Sequence, residues 1–187
     1  MEHLYDIYKT LIKKVNTSFT RYLMDEINWK SRLIAITGAR GTGKTTLMLQ
    51  RIVLSQKVEN SLYASVDNVY FSRHSIIELA DSLYKLGIRN LYLDEVHKYK
   101  NWSQEIKNIY DSYPDMNIVF SGSSLIDIYK GFGDLSRRVV PYFLNGLSFR
   151  EYLNFEKGLS LKPLELKSIL NHQVDPEPET PLLYFKR

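Results

Sequence analysis

Leu33-Ile34-Ala35-Ile36-Thr37-Gly38-Ala39-Arg40-Gly41-Thr42-Gly43-Lys44-Thr45-Thr46 runs from five apolar or β-branched residues straight into the spacing G-x-x-x-x-G-K-T. A buried strand that feeds a glycine loop and then a helix is the setting in which this spacing has physical meaning, as a phosphate-binding P-loop. Glycine at both ends, Gly38 and Gly43, lets the backbone curl until successive N–H groups point inward at phosphate oxygens. The expected nucleotide cradle is Gly38, Ala39, Arg40, Gly41, Thr42, Gly43, Lys44, Thr45 and Thr46. Lys44 is expected to reach the β- and γ-phosphates, and the Thr45 hydroxyl to hold Mg²⁺. The helix that follows aims the positive end of its dipole at the same anion.

Working outward, short apolar runs alternate with helical periodicity. Ser61 to Val66, Asn90 to Leu93, Asn117 to Ser121 and Val139 to Leu144 read as strands two to five. Between them lie the P-loop helix with Leu47, Leu49, Ile52 and Val53, a helix from His74 to Leu86 stopped by Gly87, and a face of Trp102, Ile106, Ile109 and Tyr110. Ser148 to Phe155 reads as a closing helix. This alternation predicts an α/β fold, a three-layer αβα sandwich of the P-loop NTPase type around a mainly parallel five-stranded sheet. In such sheets ligands bind beyond the carboxyl ends of the strands, and that is where the polar clusters fall.

Leu91-Tyr92-Leu93-Asp94-Glu95 is an apolar strand ending in two acids. Behind a P-loop, the first acid, Asp94, is expected to order Mg²⁺ beside Thr45, and Glu95 to polarise the attacking water. An acid in the second position favours hydrolysis over phosphotransfer. On the fourth strand, Ser121, Ser123 and Ser124 would touch both the γ-phosphate and that water, with Ser123 the first choice as sensor and Ser121 the second. Arg138, ahead of its neighbour Arg137, is the candidate arginine finger, because a guanidinium fork matches phosphate geometry. The expected catalytic set is thus Glu95, Lys44, Ser123 and Arg138, and the metal set Thr45 and Asp94.

Outside this unit, Leu4, Tyr8, Leu11, Ile12 and Val15 form a helical stripe, and Tyr22, Leu23 and Ile27 a second short helix. Residues 1–30 are read as a helical segment packed on the domain, 31–158 as the ATPase domain, and 159–187 as a short helix through Leu164, Leu166, Ile169 and Leu170 with a loose tail, Asp175 to Pro181. The 187 residues contain no cysteine, which excludes disulfides and thiolate metal sites. The four histidines show no paired ligand spacing, and no G-x-S-x-G elbow starts a serine triad. Net charge is +4 without a basic run, so nucleic-acid contact is permitted rather than indicated. No apolar run approaches the roughly 18 residues that span a bilayer, and the N-terminus lacks a secretory pattern, so a cytoplasmic location is expected.

These motifs resemble AAA-superfamily ATPases of bacteria and archaea that join an N-terminal P-loop domain to a C-terminal domain of unknown function. The resemblance covers about residues 30 to 155, through G-x-R-x-x-G-K-T-T at Gly38 to Thr46, L-D-E-V-H-K with a following N-W at Leu93 to Trp102, S-G-S-S at Ser121 to Ser124, and G-L-S-F-R-E-Y-L at Gly146 to Leu153. It implies ATP or ADP binding with Mg²⁺, Lys44 and Thr45 on nucleotide and metal, Asp94 and Glu95 as the Walker B pair, and Ser123 as sensor. Leu135-Ser136-Arg137-Arg138 stands where that group has Leu-small-Gly-Arg. Members of the group also continue well past this chain's end, so it is either the ATPase portion of a longer protein or a minimal member. The expected function is Mg²⁺-dependent ATP hydrolysis coupled to a conformational change in a protein partner or C-terminal domain, with a homo-oligomer supplying arginine in trans. Two alternatives stand beside it: a non-hydrolysing nucleotide-gated interaction module, and a nucleic-acid-stimulated ATPase suggested by Asp94-Glu95-Val96-His97. The latter spells the helicase D-E-x-H box, in which His97 is otherwise read as a surface residue beside the site.

Overall fold

Leu33–Thr37 forms strand β1, and each of its residues is buried. A strand covered on both faces reads as a continuous apolar run rather than an alternation, which explains the uninterrupted composition of this segment. In the computed structural model, which describes residues 1–123, 133, 135, 137–163, 167, 170 and 171, β1 lies inside a larger sheet. The remaining strands are β2 (Ser61–Ser65), β3 (Asn90–Asp94), β4 (Asn117–Gly122) and β5 (Val140–Phe143). Their order is β2-β3-β4-β1-β5, and every pairing is parallel. β4 therefore sits between the P-loop strand and the strand that carries Asp94, as the sensor reading requires.

The helices are α1 (Glu2–Lys13), α2 (Leu23–Glu26), α3 (Lys44–Leu54), α4 (Ile76–Lys85) and α5 (Trp102–Ser112). Right-handed crossovers decide their sides. The step from β1 to β2 runs toward one sheet edge through α3, whereas the steps through α4 and α5 run back the other way. Hence α3 covers one face and α4 with α5 the other, giving the three layers. α1 packs beside α3 and β2, and α4 beside α5. The stripe on α1 has its innermost residues at Leu4 and Tyr8, and the Tyr8 hydroxyl donates to Val58 O at 2.8 Å. α4 begins at Ile76, two residues after the expected His74, because Ser75 caps it: Ser75 Oγ accepts from Glu78 N at 3.1 Å while Ser75 N donates to Glu78 Oε2 at 2.9 Å, a capping box worth about 1 kcal/mol.

Two compact units divide the chain, Met1–Ser148 and Phe149–Arg187. In the second, helix α6 (Phe149–Lys157) buries Glu151 and Leu153. The Asn154 amide donates to Leu161 O at 3.0 Å and accepts from Leu161 N at 2.8 Å, securing the chain after Gly158 turns it. Of the short helix expected near the end only Leu170 is described; Leu164, Leu166 and Ile169, like the stretch Asp175 to Pro181, lie outside the described residues. Among the described residues no helix is long and apolar enough to cross a membrane.

Candidate functional site

The loop between β1 and α3 is held open by backbone shapes that only glycine takes cheaply. At Gly38, φ is +146°, and a Cβ there would stand 2.3 Å from Leu144 O, so the chain leaving β5 presses directly on the loop's first residue. Leu144 N donates to Thr37 O at 2.8 Å and fixes that contact. Gly43, at φ +96°, turns the chain into α3, whose first N–H groups have no intrahelical acceptor and begin where the loop ends. Lys44 is the first residue of α3 and only 4% exposed. Its ammonium donates to Gly38 O at 2.9 Å and Ala39 O at 2.8 Å, so it lies along the loop it is expected to serve. Burial lowers the Lys44 pKa, against the pull of Glu95 and Asp94, whose negative charges favour the protonated form. Ala39, Arg40, Gly41 and Thr46 are exposed around the rim, while Thr42, Gly43 and Thr45 are half-buried.

At the end of β3, Asp94 is 3% exposed, yet its carboxylate is met from several directions. Thr45 Oγ1 donates to Oδ2 at 2.5 Å and Tyr63 OH donates to the same oxygen at 2.8 Å. Ser121 Oγ donates to Oδ1, and Glu95 N reaches Oδ1 at 3.1 Å. A buried carboxylate needs such donors, and each comes from a different place in the sheet: α3, β2, β4 and the turn after β3. The expected metal pair, Thr45 and Asp94, is therefore in direct contact. Tyr63 is absent from the sequence reading. β2 pairs with β3 in the register Tyr63↔Tyr92 and Ser65↔Asp94, so only the strand order reveals that its hydroxyl can reach Asp94. Burial and the Asp94 charge push the Tyr63 phenol well above its usual range, which keeps it a hydrogen-bond donor.

Glu95 leaves the strand in a left-handed conformation, φ +57° and ψ +41°. That turn points its side chain away from the Asp94 cluster and toward β4, where Ser123 Oγ donates to Glu95 Oε2 at 3.0 Å. The preferred serine, Ser123, thus touches the second acid, and the second choice, Ser121, touches the first; Ser124 lies outside the described residues. His97 corrects its expectation as a surface residue. Its side chain is 10% exposed, with Nδ1 3.3 Å from Glu95 Oε2, and that buried nitrogen makes no hydrogen bond. A single 3-10 turn, Val96–Lys98, folds it back beneath Glu95.

Arg138 is not brought to this cluster. It precedes β5, whose Val140 pairs with Ile34 near the start of β1, so it lies at the amino-terminal end of the strands, opposite the loop. There it forms a fork on Asp111 at the end of α5, Nε to Oδ1 at 2.9 Å and Nη2 to Oδ2 at 3.0 Å. Within one chain it cannot reach a phosphate held by Lys44. Arg137 adopts φ +69°, a left-handed conformation that glycine takes with less strain.

The side chains of Thr45 and Asp94 offer a cation only oxygen atoms, which suits a hard ion such as Mg²⁺. Among the described residues no group of three or more His, Cys, Asp or Glu could hold a metal by itself. A hydroxyl and one carboxylate beside a phosphate cradle fit a metal that arrives with its nucleotide.

A parallel sheet in the order β2-β3-β4-β1-β5, with a glycine cradle after β1 and an acid pair at the end of β3, defines a P-loop NTPase. More narrowly, the chain belongs to the AAA domain family, which matches residues 30–153, a family of ATP-binding P-loop ATPases. It is 30% identical over 181 residues to an uncharacterized protein of Methanocaldococcus jannaschii, MJ1637, covering 91% of this chain but 36% of that protein. Among solved structures it is similar to the Walker-type ATPase PABY2304 of Pyrococcus abyssi, with a TM-score of 0.53 at 14% identity, over 87% of this chain and 61% of that one. That likeness is one of fold. The chain spans little more than a third of the length of the curated relative it matches.

Proposed function

We propose that this chain is an Mg²⁺-dependent ATPase whose hydrolysis drives a conformational change passed to a protein partner or to a further domain. The observation that carries the reading is the division of labour between the two acids: Asp94 is engaged by Thr45, Glu95 by Ser123. Lys44 and the first N–H groups of α3 bind and neutralise the phosphates, and Thr45 with Asp94 holds Mg²⁺ beside them. When bound, Mg²⁺ neutralises charge on the β- and γ-oxygens. Glu95, set apart from the metal cluster by its left-handed turn, accepts a hydrogen bond from the attacking water and takes its proton. Ser123 fixes the rotamer of Glu95 and senses the γ-phosphate.

The position of Arg138 favours a division between protomers. An arginine at the opposite end of the strands can stabilise a transferring phosphoryl group only in a neighbouring copy, so turnover by a dilute protomer is slow. ATP being its substrate, the protein is assigned to the cytoplasm. The test is Mg²⁺-ATP turnover per protomer across a range of protein concentration, with Glu95→Gln as the blank. A rate that climbs with concentration supports an ATPase completed in trans. Nucleotide binding with no turnover at any concentration would refute catalysis by this chain and leave a nucleotide-gated binding module.

A further inference from the structure

Arg21 lies in the segment between α1 and α2, far from the P-loop in sequence, and is 6% exposed. Its Nη1 donates to Thr42 O, inside the loop, at 2.5 Å. Its Nη2 donates to Asn145 O at 2.9 Å and to Gly146 O at 3.0 Å, just beyond β5. The segment carrying it is itself tied to α3: Gln50, 4% exposed, donates from Nε2 to Asn16 O at 2.7 Å and Phe19 O at 2.8 Å. One guanidinium, supported from behind, therefore grips the exit of the loop while Leu144 presses on its entrance.

The chemistry of the peptide unit gives this grip a consequence. In a trans peptide the carbonyl and the N–H point to opposite sides. There are no cis peptides in the described chain, so drawing Thr42 O toward Arg21 turns the Gly43 N–H to the opposite side, away from the guanidinium. Gly43, without a side chain and at φ +96°, has the freest backbone at that point and the most to gain from an external hold. Donors aimed in advance bind an anion without having to reorganise first.

We propose that Arg21 is a positioning residue for phosphate binding, acting through the Thr42–Gly43 peptide without touching the nucleotide. The inference rests on the reading of this loop as an ATP site. It also links two motions, because any shift of Asn145 and Gly146 would be felt by Thr42 through the same side chain.

The test is Arg21→Lys, which keeps the charge but has one nitrogen and cannot span carbonyls on both segments. Arg32→Ala is the matched control: Arg32 Nη2 donates to Tyr110 O at 2.9 Å and Tyr113 O at 3.0 Å, a guanidinium on carbonyls at the other end of the strands. Affinities for Mg-ADP and for inorganic tripolyphosphate are measured by calorimetry at a temperature where every variant is folded. Arg21→Lys is expected to weaken both by at least about tenfold, the worth of one hydrogen bond to a charged group. Arg32→Ala is expected to lower Tm and leave both affinities unchanged. Wild-type affinities in Arg21→Lys would overturn the proposal, as would weakened ADP binding with unaltered tripolyphosphate binding, which would put Arg21 at the base or sugar. Equal losses in both variants would reduce Arg21 to a structural role. Failure of the wild-type protein to bind either probe would overturn the nucleotide reading first, and this inference with it.

Discussion

Replacing Tyr63 by phenylalanine removes one oxygen atom from the site and nothing else. Tyr63 is 5% exposed, so the ring keeps its packing and no void opens. The hydroxyl's bond to Asp94 Oδ2, 2.8 Å long, is lost in a place that water does not readily enter. Hydrogen bonds to charged groups contribute about 1.5–3 kcal/mol, and Thr45 still serves the same oxygen, so a loss of about 1–2 kcal/mol is expected. For a protein of this length that lowers Tm by roughly 2–8 °C. The effect on metal binding follows from who remains. If the Thr45 hydroxyl turns to Mg²⁺ as proposed, Tyr63 is the side-chain donor left on Oδ2 among the described residues, and without it the carboxylate swings more freely. The same 1–2 kcal/mol raises the half-saturating Mg²⁺ concentration for turnover by roughly five- to thirtyfold. Thermal unfolding and a Mg²⁺ titration of ATPase rate at fixed nucleotide read the two effects separately. Because burial and the Asp94 charge keep the phenol protonated, the difference in Tm from wild type should persist up to about pH 10. An unchanged Tm together with an unchanged Mg²⁺ requirement would refute the reasoning. A lower Tm with an unchanged requirement would leave Tyr63 structural only.

Four further outcomes are expected. Glu95→Gln should bind ATP as wild type and turn over at least about a hundredfold more slowly; parallel loss of binding would sink its role as base. Lys44→Ala should weaken nucleotide affinity itself, which a fluorescent ADP titration will show. Gly38→Ala drives a methyl to within 2.3 Å of Leu144 O and should lose both stability and nucleotide binding, whereas Gly41→Ala, with open space around it, should suffer only the strain of its backbone; similar behaviour of the two would contradict the close contact. The Arg138 guanidinium holds Asp111 below the usual carboxylate range, so their mutual stabilisation is complete above the unfolded carboxylate's pKa and disappears as pH falls through the folded value. The Tm deficit of Arg138→Ala should accordingly be present at neutral pH and vanish in acid.

What the sequence disclosed was whatever is written in consecutive residues. The P-loop and the strand ending in Asp94-Glu95 each lie within a few positions, where local periodicity and turn chemistry decide. Strand ends came out within a residue, since apolar runs and polar stops mark them directly. Ser123 was reachable because a P-loop sheet places the fourth strand between the first and third. Tyr63 and Arg21 were not reachable. A tyrosine in a buried strand looks like core, and an arginine in a loop looks like surface, until neighbouring strands and the loop after β5 bring their acceptors. Arg138 shows the converse: its type suggested chemistry, but β5 starts at the end of the strands away from the loop, too far for it to serve its own site. His97 was misjudged because a tight turn after a strand can fold a polar side chain inward as easily as out.

Glu95 has a consequence for attempts to engineer the protein. A non-glycine residue held at φ +57° is strained by about 1 kcal/mol, and Gly or Asn would relieve that strain. What they would forfeit in folding terms is a hydrogen bond on a side chain still 28% exposed. A library screened for heat tolerance alone is therefore expected to accumulate Glu95→Gly and Glu95→Asn, yielding sturdier molecules that, on the role proposed for Glu95, do not turn over ATP. Position 95 should be held fixed in any such campaign, and its drift would itself report that the screen had stopped selecting for catalysis.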